Sequence, residues 1–284
     1  HELHHFVLDR GAFGFGSASE QARIRNAEIL KSFRRMTEYA EQQKIRLVLI
    51  AGDLFDGERV TKRTVEGVLD AVRSTPQIDY LYVSGNHDDK THAFVDQDVP
   101  QNFKSFTDQW STFVYDDVAV SGIEITKANA ARLYEQLPAQ KSKVNIVMLH
   151  GQISTVCEVD QVNLNLLKGK NIQYLALGHI HTYICEQLDR DGIYCYPGCL
   201  EGRGFDECGE KGFVVLDPDA QNLTRKFGVR NLRLYATGSN LLCITGYSGQ
   251  DPEVNTSSNK MVMGFDYSAY PKSRSYIVGV NVTF

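Results

Sequence analysis

The sequence predicts an α/β protein with a short β-rich appendage, on three observations. Continuous apolar runs alternate with amphipathic helical patterns over the first four-fifths of the chain, as in buried strands with helices between them. Four of those runs end on polar residues able to hold a metal. After about residue 230 the helical period gives way to alternation of apolar and polar residues, the pattern of an amphipathic strand.

The elements follow in order. Ser17-Ala18-Ser19-Glu20 has capping-box spacing, and Ile29, Phe33, Met36 and Ala40 then recur at steps of three and four, which predicts an amphipathic helix. The run Leu47-Val48-Leu49-Ile50 suits a strand buried on both faces, and Ala51-Gly52 then delivers Asp53 at its C-terminal end. A second helix is expected around Val65, Val68, Leu69 and Val72, leading to the strand Tyr80-Leu81-Tyr82-Val83 and then Ser84-Gly85-Asn86-His87-Asp88. A third helix is expected near 127–137, before the strand 144–149 that ends in His150. The run Tyr174-Leu175-Ala176-Leu177 ends in Gly178-His179-Ile180-His181. In open α/β sheets the C-terminal edge of the strands is where sites are built.

Composition sets the bounds. The 284 residues are 42% hydrophobic and 23% charged, which allows a sizeable core and excludes wholesale disorder, collagen-like repeats and a disulfide miniprotein. Thirty basic against 35 acidic residues give a formal charge of −5. That disfavours a nucleic-acid partner held mainly by bulk positive charge and leaves room for a local basic groove. Six cysteines in so long a chain read as reduced thiols of a cytoplasmic protein, and Cys195, Cys199 and Cys208 lack the paired spacing of a zinc knuckle. No apolar stretch reaches the 18 or so residues that span a bilayer, and no charged-then-apolar leader is present. The start at His1 reads as trimmed or foreign.

The four strand ends together offer Asp53, Asn86, His150, His179 and His181. One carboxylate, one amide oxygen and three imidazoles form a mixed N/O set suited to borderline divalent ions such as Mn, Fe or Zn. The absence of a nearby thiolate argues against a closed structural zinc site. Glycines precede Asp53, Asn86 and His179, where a missing Cβ permits a sharp turn or a close approach. His179 and His181 would aim the same way in an extended segment and serve two neighbouring metals if splayed by a turn. The bland alternative is a sheet whose strand ends carry merely hydrogen-bonded polar residues, and it requires four independent coincidences. Asp56 either caps the following turn or supports a ligand by hydrogen bonding.

Gly52-Asp53-Leu54-Phe55-Asp56, Gly85-Asn86-His87-Asp88, Leu149-His150 and Gly178-His179-Ile180-His181, in this order and spacing, resemble motifs two to five of the calcineurin-like metallophosphoesterases. The Gly-Asp-x-Phe-Asp form and Tyr196-Pro197-Gly198-Cys199-Leu200-Glu201 look most like the branch of SbcD-type DNA-repair exonucleases. The resemblance covers residues 8–225 and implies a four-layer αββα metallophosphoesterase sandwich, with residues 1–227 as that domain. It implies two divalent metal ions, Mn foremost and Fe or Zn as alternatives. Asp53 would bridge them, Asn86, His150 and His179 would complete one site, and His181 would belong to the other. His87, paired with Asp88, would then be the general acid or hydrogen-bond donor at the leaving oxygen. Such a pair of ions lowers the pKa of a bridging water and neutralises charge on the phosphoryl oxygens. The implied partners are a phosphoester substrate, DNA for the nuclease branch, and an ATPase, with no membrane for the main domain.

Two departures stand out. The family's first motif, Asp-x-His, is not present. Either His5 and Val7 occupy its positions, or Asp9 is its carboxylate with Gly11 in place of the histidine. One metal site then lacks a ligand unless His1, His4 or His5 compensates, and two-metal chemistry is expected to be impaired. The second departure is the tail. Asn231 to Leu242, Tyr247 to Asn255 and Tyr270 to Phe284 resemble the last strands of SusC-type TonB-dependent outer-membrane receptors. A membrane barrel needs eight or more strands, and about 55 residues supply too few, so residues 228–284 read as a β-rich tail fused to an unrelated domain. The leading expectation is therefore a metal-dependent phosphoesterase, either a phosphodiesterase or DNA exonuclease-like. The alternative is a non-catalytic metal-binding pseudoenzyme or a fragment of an outer-membrane receptor.

Overall fold

The computed structural model describes residues 29–55, 61–88, 94, 97–200 and 211–216 with their side chains, and the backbone of His5–Leu8, 20–28, 231–239 and 275–283. In chain order the elements begin with β1 (His5–Leu8), α1 (Glu20–Gln42), β2 (Leu47–Ile50), α2 (Lys62–Arg73), β3 (Asp79–Tyr82) and β4 (Phe103–Ser105). There follow β5 (Ser111–Tyr115), β6 (Val118–Gly122), β7 (Val144–His150), β8 (Gln152–Ile153), β9 (Gln161–Val162) and β10 (Tyr174–Gly178). The last are β11 (Ile184–Gln187), β12 (Ile193–Tyr196), β13 (Val214–Leu216), β14 (Asn231–Ser239) and β15 (Ser275–Thr283).

Two large sheets form. The first has the order β13-β1-β2-β3-β4, parallel except at β13. The second has the order β11-β12-β10-β7-β6-β5, with a parallel centre and antiparallel edge strands. Strand alternation divides the core between them. Leu47, Leu49 and Ala51 share one cluster with Ile146, Met148, Tyr174 and Ala176, so these faces lie against each other. Val48 and Ile50 point the other way into a cluster with Ile29, Phe33, Met36 and Ala40 of α1 and Val65, Val68, Leu69 and Val72 of α2. Both helices thus bury the stripe that their period predicts. Thr61 caps α2 by accepting from the Thr64 N–H at 3.2 Å, a bond worth about 1 kcal/mol. Ser17 of the expected capping box lies outside the described residues.

The outer face of the second sheet differs from expectation. Val147, Leu149, Leu175 and Leu177 pack there against Leu133 and Tyr134, yet 127–136 is a run of turns rather than a helix. The reason is local. The Asn129 carboxamide accepts from the Thr126 N–H at 2.8 Å and donates to Asp108 O at 2.9 Å and Glu124 O at 2.7 Å. A side chain with three backbone partners competes with helix formation, and Pro138 follows directly after Leu137. The helical spacing of Leu133 and its neighbours served packing and not helix formation. The one short helix described on this face is a 3-10 turn, Leu164–Leu166.

The register of β1 corrects another expectation. His5 pairs with Leu47, and Leu8 pairs with Ile50, at the start and end of β2 respectively. Three residues of strand separate them, about 10 Å, so the backbone of His5 sits at the far end from the edge that carries Asp53. His5 cannot stand in for the motif carboxylate there. His1, His4, Asp9, Gly11 and Asp56 lie outside the described residues.

β14 and β15 pair antiparallel from Asn231↔Thr283 to Ser239↔Ser275, in a two-stranded sheet of their own. Both strands fall where alternation predicts them. Among the described residues no helix is long and apolar enough to cross a membrane.

Candidate metal centre

The C-terminal ends of β2 and β3 meet those of β7 and β10, which brings residues about 125 positions apart in sequence to one edge. The first sheet sends loops. Asp53 lies three residues beyond β2 and is buried, and Asn86 lies four beyond β3 on an exposed turn. The second sheet uses the strands themselves. His150 is the last residue of β7 and 3% exposed, and His179 is the first residue after β10.

Two glycines allow this convergence. A Cβ on Gly178 would lie 1.8 Å from Ala51 O, so β10 could not approach β2 with any larger residue there. A Cβ on Gly85 would lie 2.3 Å from Asp53 Oδ1. Strain is stored alongside. Asp53 (φ +50°) and His179 (φ +102°) are both non-glycine residues in the left-handed region, a cost of about 1–3 kcal/mol each.

Asp53, His150 and His179 present ligand atoms within 4.8 Å of one another. His150 Nδ1 lies 2.8 Å from Ala51 O. A carbonyl only accepts, so Nδ1 carries the proton and Nε2 carries a lone pair. Burial lowers the pKa of His150 and keeps the ring neutral, although Asp53 pulls the other way. That Nε2 lone pair faces Asn86 Oδ1 at 3.0 Å and Asp53 Oδ2 at 3.6 Å. Asn86 Oδ1 is also 3.1 Å from His179 Nδ1, and the two rings stand nearly perpendicular at 5.3 Å. Acceptors converging on one point suit a cation. Bonds of about 2.1 Å at right angles place neighbouring ligand atoms about 3.0 Å apart, and tetrahedral bonds about 3.4 Å. The separations at this site match, and the Nδ1 bond to Ala51 is the usual device for orienting a ligating imidazole.

The other sequence candidates sit differently. His87 is exposed beside the cluster, and its backbone N–H donates to Asp53 Oδ1 at 2.9 Å. Asp88 turns back into the protein, where Oδ1 accepts from Phe55 N–H at 2.7 Å and Oδ2 from Gly85 N–H at 2.8 Å. It therefore ties the Asp53 and Asn86 loops together. Burial pushes its carboxyl up to about 7 against the pull of those two bonds. His181 is half-buried and stands outside the described cluster. Its carbonyl accepts from Lys211 Nζ at 3.4 Å and from the Cys199 thiol at 3.8 Å, which holds the turn after His179.

Two supports were not legible in the sequence. One is the Ala51 carbonyl, a backbone group. The other is Glu124, which is buried and accepts from the Ser84 hydroxyl at 2.8 Å just before the Asn86 turn. A carboxylate 40 residues away carries no local signal of that contact.

The family model for calcineurin-like phosphoesterases matches residues 5–183. The chain belongs to that family. Within it, the chain is 25% identical over 239 residues to the uncharacterized metallophosphoesterase YhaO of Bacillus subtilis, covering 78% of the chain and 57% of the relative. It is 25% identical over 224 residues to the DNA double-strand break repair protein Mre11 of Aeropyrum pernix, covering 69% and 54% respectively. The chain thus spans little more than half the length of these relatives. Over 64 residues, 21% of the chain, it is also 39% identical to TonB-dependent receptor P3 of Formosa agariphila, of which that stretch is 6%. Among solved structures, TT1561 of Thermus thermophilus shares the fold at a TM-score of 0.50 and 12% identity, over 76% of this chain and 99% of that one. The α/β sandwich expected from the sequence is the family's architecture.

Proposed function

We propose that this chain is a divalent-metal-dependent phosphodiesterase, with DNA, cleaved in exonuclease-like fashion, and small phosphodiesters as its candidate substrates. The observation that carries the proposal is the neutral, oriented His150 facing Asn86 and Asp53. When bound, the metal ions supply an activated water and neutralise charge on the phosphoryl oxygens.

The chain's own residues have these roles in the proposal. Asp53, Asn86, His150 and His179 would hold one ion, and His181 would belong to the site of the second. The mixed N/O set suits manganese, iron or zinc, and the resemblance puts manganese first. His87, exposed at the mouth, donates a proton to the leaving oxygen. Asp88 supports the site through the backbone, by fixing the Gly85 amide just before Asn86 and the Phe55 amide just after Asp53. DNA as a substrate is supported by the resemblance to the nuclease branch and by relatives named as DNA double-strand break repair proteins, and an ATPase partner by that resemblance alone.

The register of β1 favours Asp9 as the first-motif carboxylate, since the strand ends at Leu8 opposite Ile50. Gly11 then replaces the motif histidine, and the second ion is held weakly. The test is hydrolysis of an aryl phosphodiester and of end-labelled DNA with added manganese, alongside a metal count. Activity that falls in both Asp53→Ala and His87→Ala, with one tightly held ion per chain, supports the proposal. Activity unchanged by both substitutions sinks it. Two tightly held ions refute the weakened second site, and one ion without hydrolysis identifies a metal-binding pseudoenzyme.

A further inference from the structure

Cys185 and Cys195 stand apart from the metal centre and have no part in the chemistry above. They are directly opposed on β11 and β12. The parity of the ladder fixes what kind of pair they are. At the end of the hairpin Leu188 N–H donates to Gly192 O at 2.9 Å, so Leu188 and Gly192 face each other through a hydrogen bond. Ile193 N–H turns the other way, donating to Gln173 O at 3.2 Å. Counting in steps of two from either end, Cys185 and Cys195 occupy a non-hydrogen-bonded position. There the Cα atoms of an antiparallel pair come closest, about 4.5 Å apart, within the range that a disulfide spans.

The side chains share a face as well. Cys195 is fully buried between the two sheets, and Cys185, half-buried on the edge strand β11, packs against the same cluster. Pairing with Cys195 holds the Cys185 thiol below its ordinary pKa, whereas the same pairing and burial hold Cys195 well above it. Among the described residues no disulfide is formed, and Cys157, Cys185, Cys195 and Cys199 are thiols.

We propose that Cys185 and Cys195 are a redox-modification site that closes into a reversible disulfide on exposure to a peroxide. The Cys185 thiolate attacks one peroxide oxygen, the O–O bond breaks, and the departing hydroxide takes up a proton to leave as water. Cys185 is then a sulfenic acid. The Cys195 sulfur attacks it, the S–O bond breaks, and the oxygen leaves as a second water with the Cys195 proton. Two thiols and one hydrogen peroxide give one disulfide and two waters. The partial exposure of Cys185 assigns it the first step, and the burial of Cys195 assigns it the resolving step. The bond would staple the hairpin that follows the His179–His181 turn.

The test uses the full chain treated with hydrogen peroxide, blocked with an alkylating agent, digested and analysed by mass spectrometry. The expected result is a cross-linked peptide pair joining Cys185 to Cys195, lost on treatment with dithiothreitol and absent from Cys185→Ser. In Cys195→Ala, a sulfenic-acid probe should label Cys185 more strongly than in the parent chain, because the resolving thiol is gone. Over-oxidation of Cys185 without a cross-link overturns the proposal. So does a cross-link from Cys185 to Cys157 or Cys199, or failure of either thiol to react at peroxide levels that oxidise the other cysteines.

Discussion

The two sheets supply the candidate centre in different ways. The first sends Asp53 and Asn86 out on loops three and four residues past their strands, and both loops are held from behind by side chains. The second delivers His150 from within β7 and His179 from the next residue after β10, where strand register alone sets position. The loop-borne groups take their position from those supporting side chains. The strand-borne imidazoles form the fixed wall that they face. Mutations on the two sides should therefore fail differently, by all-or-none loss on the strand side and, for loop residues other than the ligands themselves, by graded loss.

The largest effects are expected where a ligand is removed. His150→Ala and Asp53→Ala should each lower phosphodiester hydrolysis by about a thousandfold or more and remove the tightly held ion from a metal count. If His150→Ala kept its metal, the second sheet would not be the fixed wall. Next comes the approach between the sheets. Gly178→Ala places a Cβ 1.8 Å from Ala51 O and should cost about 3 kcal/mol or more in a denaturant midpoint, with metal lost in parallel.

On the loop side, His87→Ala should lower kcat by about a hundredfold or more while the metal count stays at the parent value. A fall in metal content instead would make His87 a support of the site rather than a proton donor. Asp88→Ala strips the acceptors from two backbone N–H groups. It should lower activity about ten- to a hundredfold and stability by about 2 kcal/mol, with partial recovery at high manganese because the ligands themselves remain. The smallest effect is expected for Ser84→Ala. It breaks the Glu124 bond and should cost about 1 kcal/mol in thermal or chemical unfolding, with activity changed less than by Asp88→Ala.

Much of the scaffold was legible before any coordinates. The stripe Ile29, Phe33, Met36 and Ala40 is the buried face of α1, and Leu47 to Ile50 is a strand buried on both sides. The helix expected at 127–137 failed because an apolar period reports burial, whereas helix formation also depends on what Asn129 does with its amide. The pairing of Asp88 with His87 expected from the sequence gives way to backbone contacts for a similar reason. Adjacent residues on a turn point in different directions, and Asp88 spends both oxygens on backbone amides.

By itself the sequence determined the four strands that lead to the site, two of the helices, the polar residues at those strand ends and the alternating pattern of the tail, since each rests on local periodicity or on neighbours in the chain. Tertiary structure alone decided that Asp53 and Asn86 face His150 and His179, that the Ala51 carbonyl orients His150, that Glu124 backs Ser84, and that His5 lies at the wrong end of β1. Those relations span from 40 residues of sequence, between Ser84 and Glu124, to about 125, between Asp53 and His179. They depend on how two sheets pack and register, which no local pattern encodes.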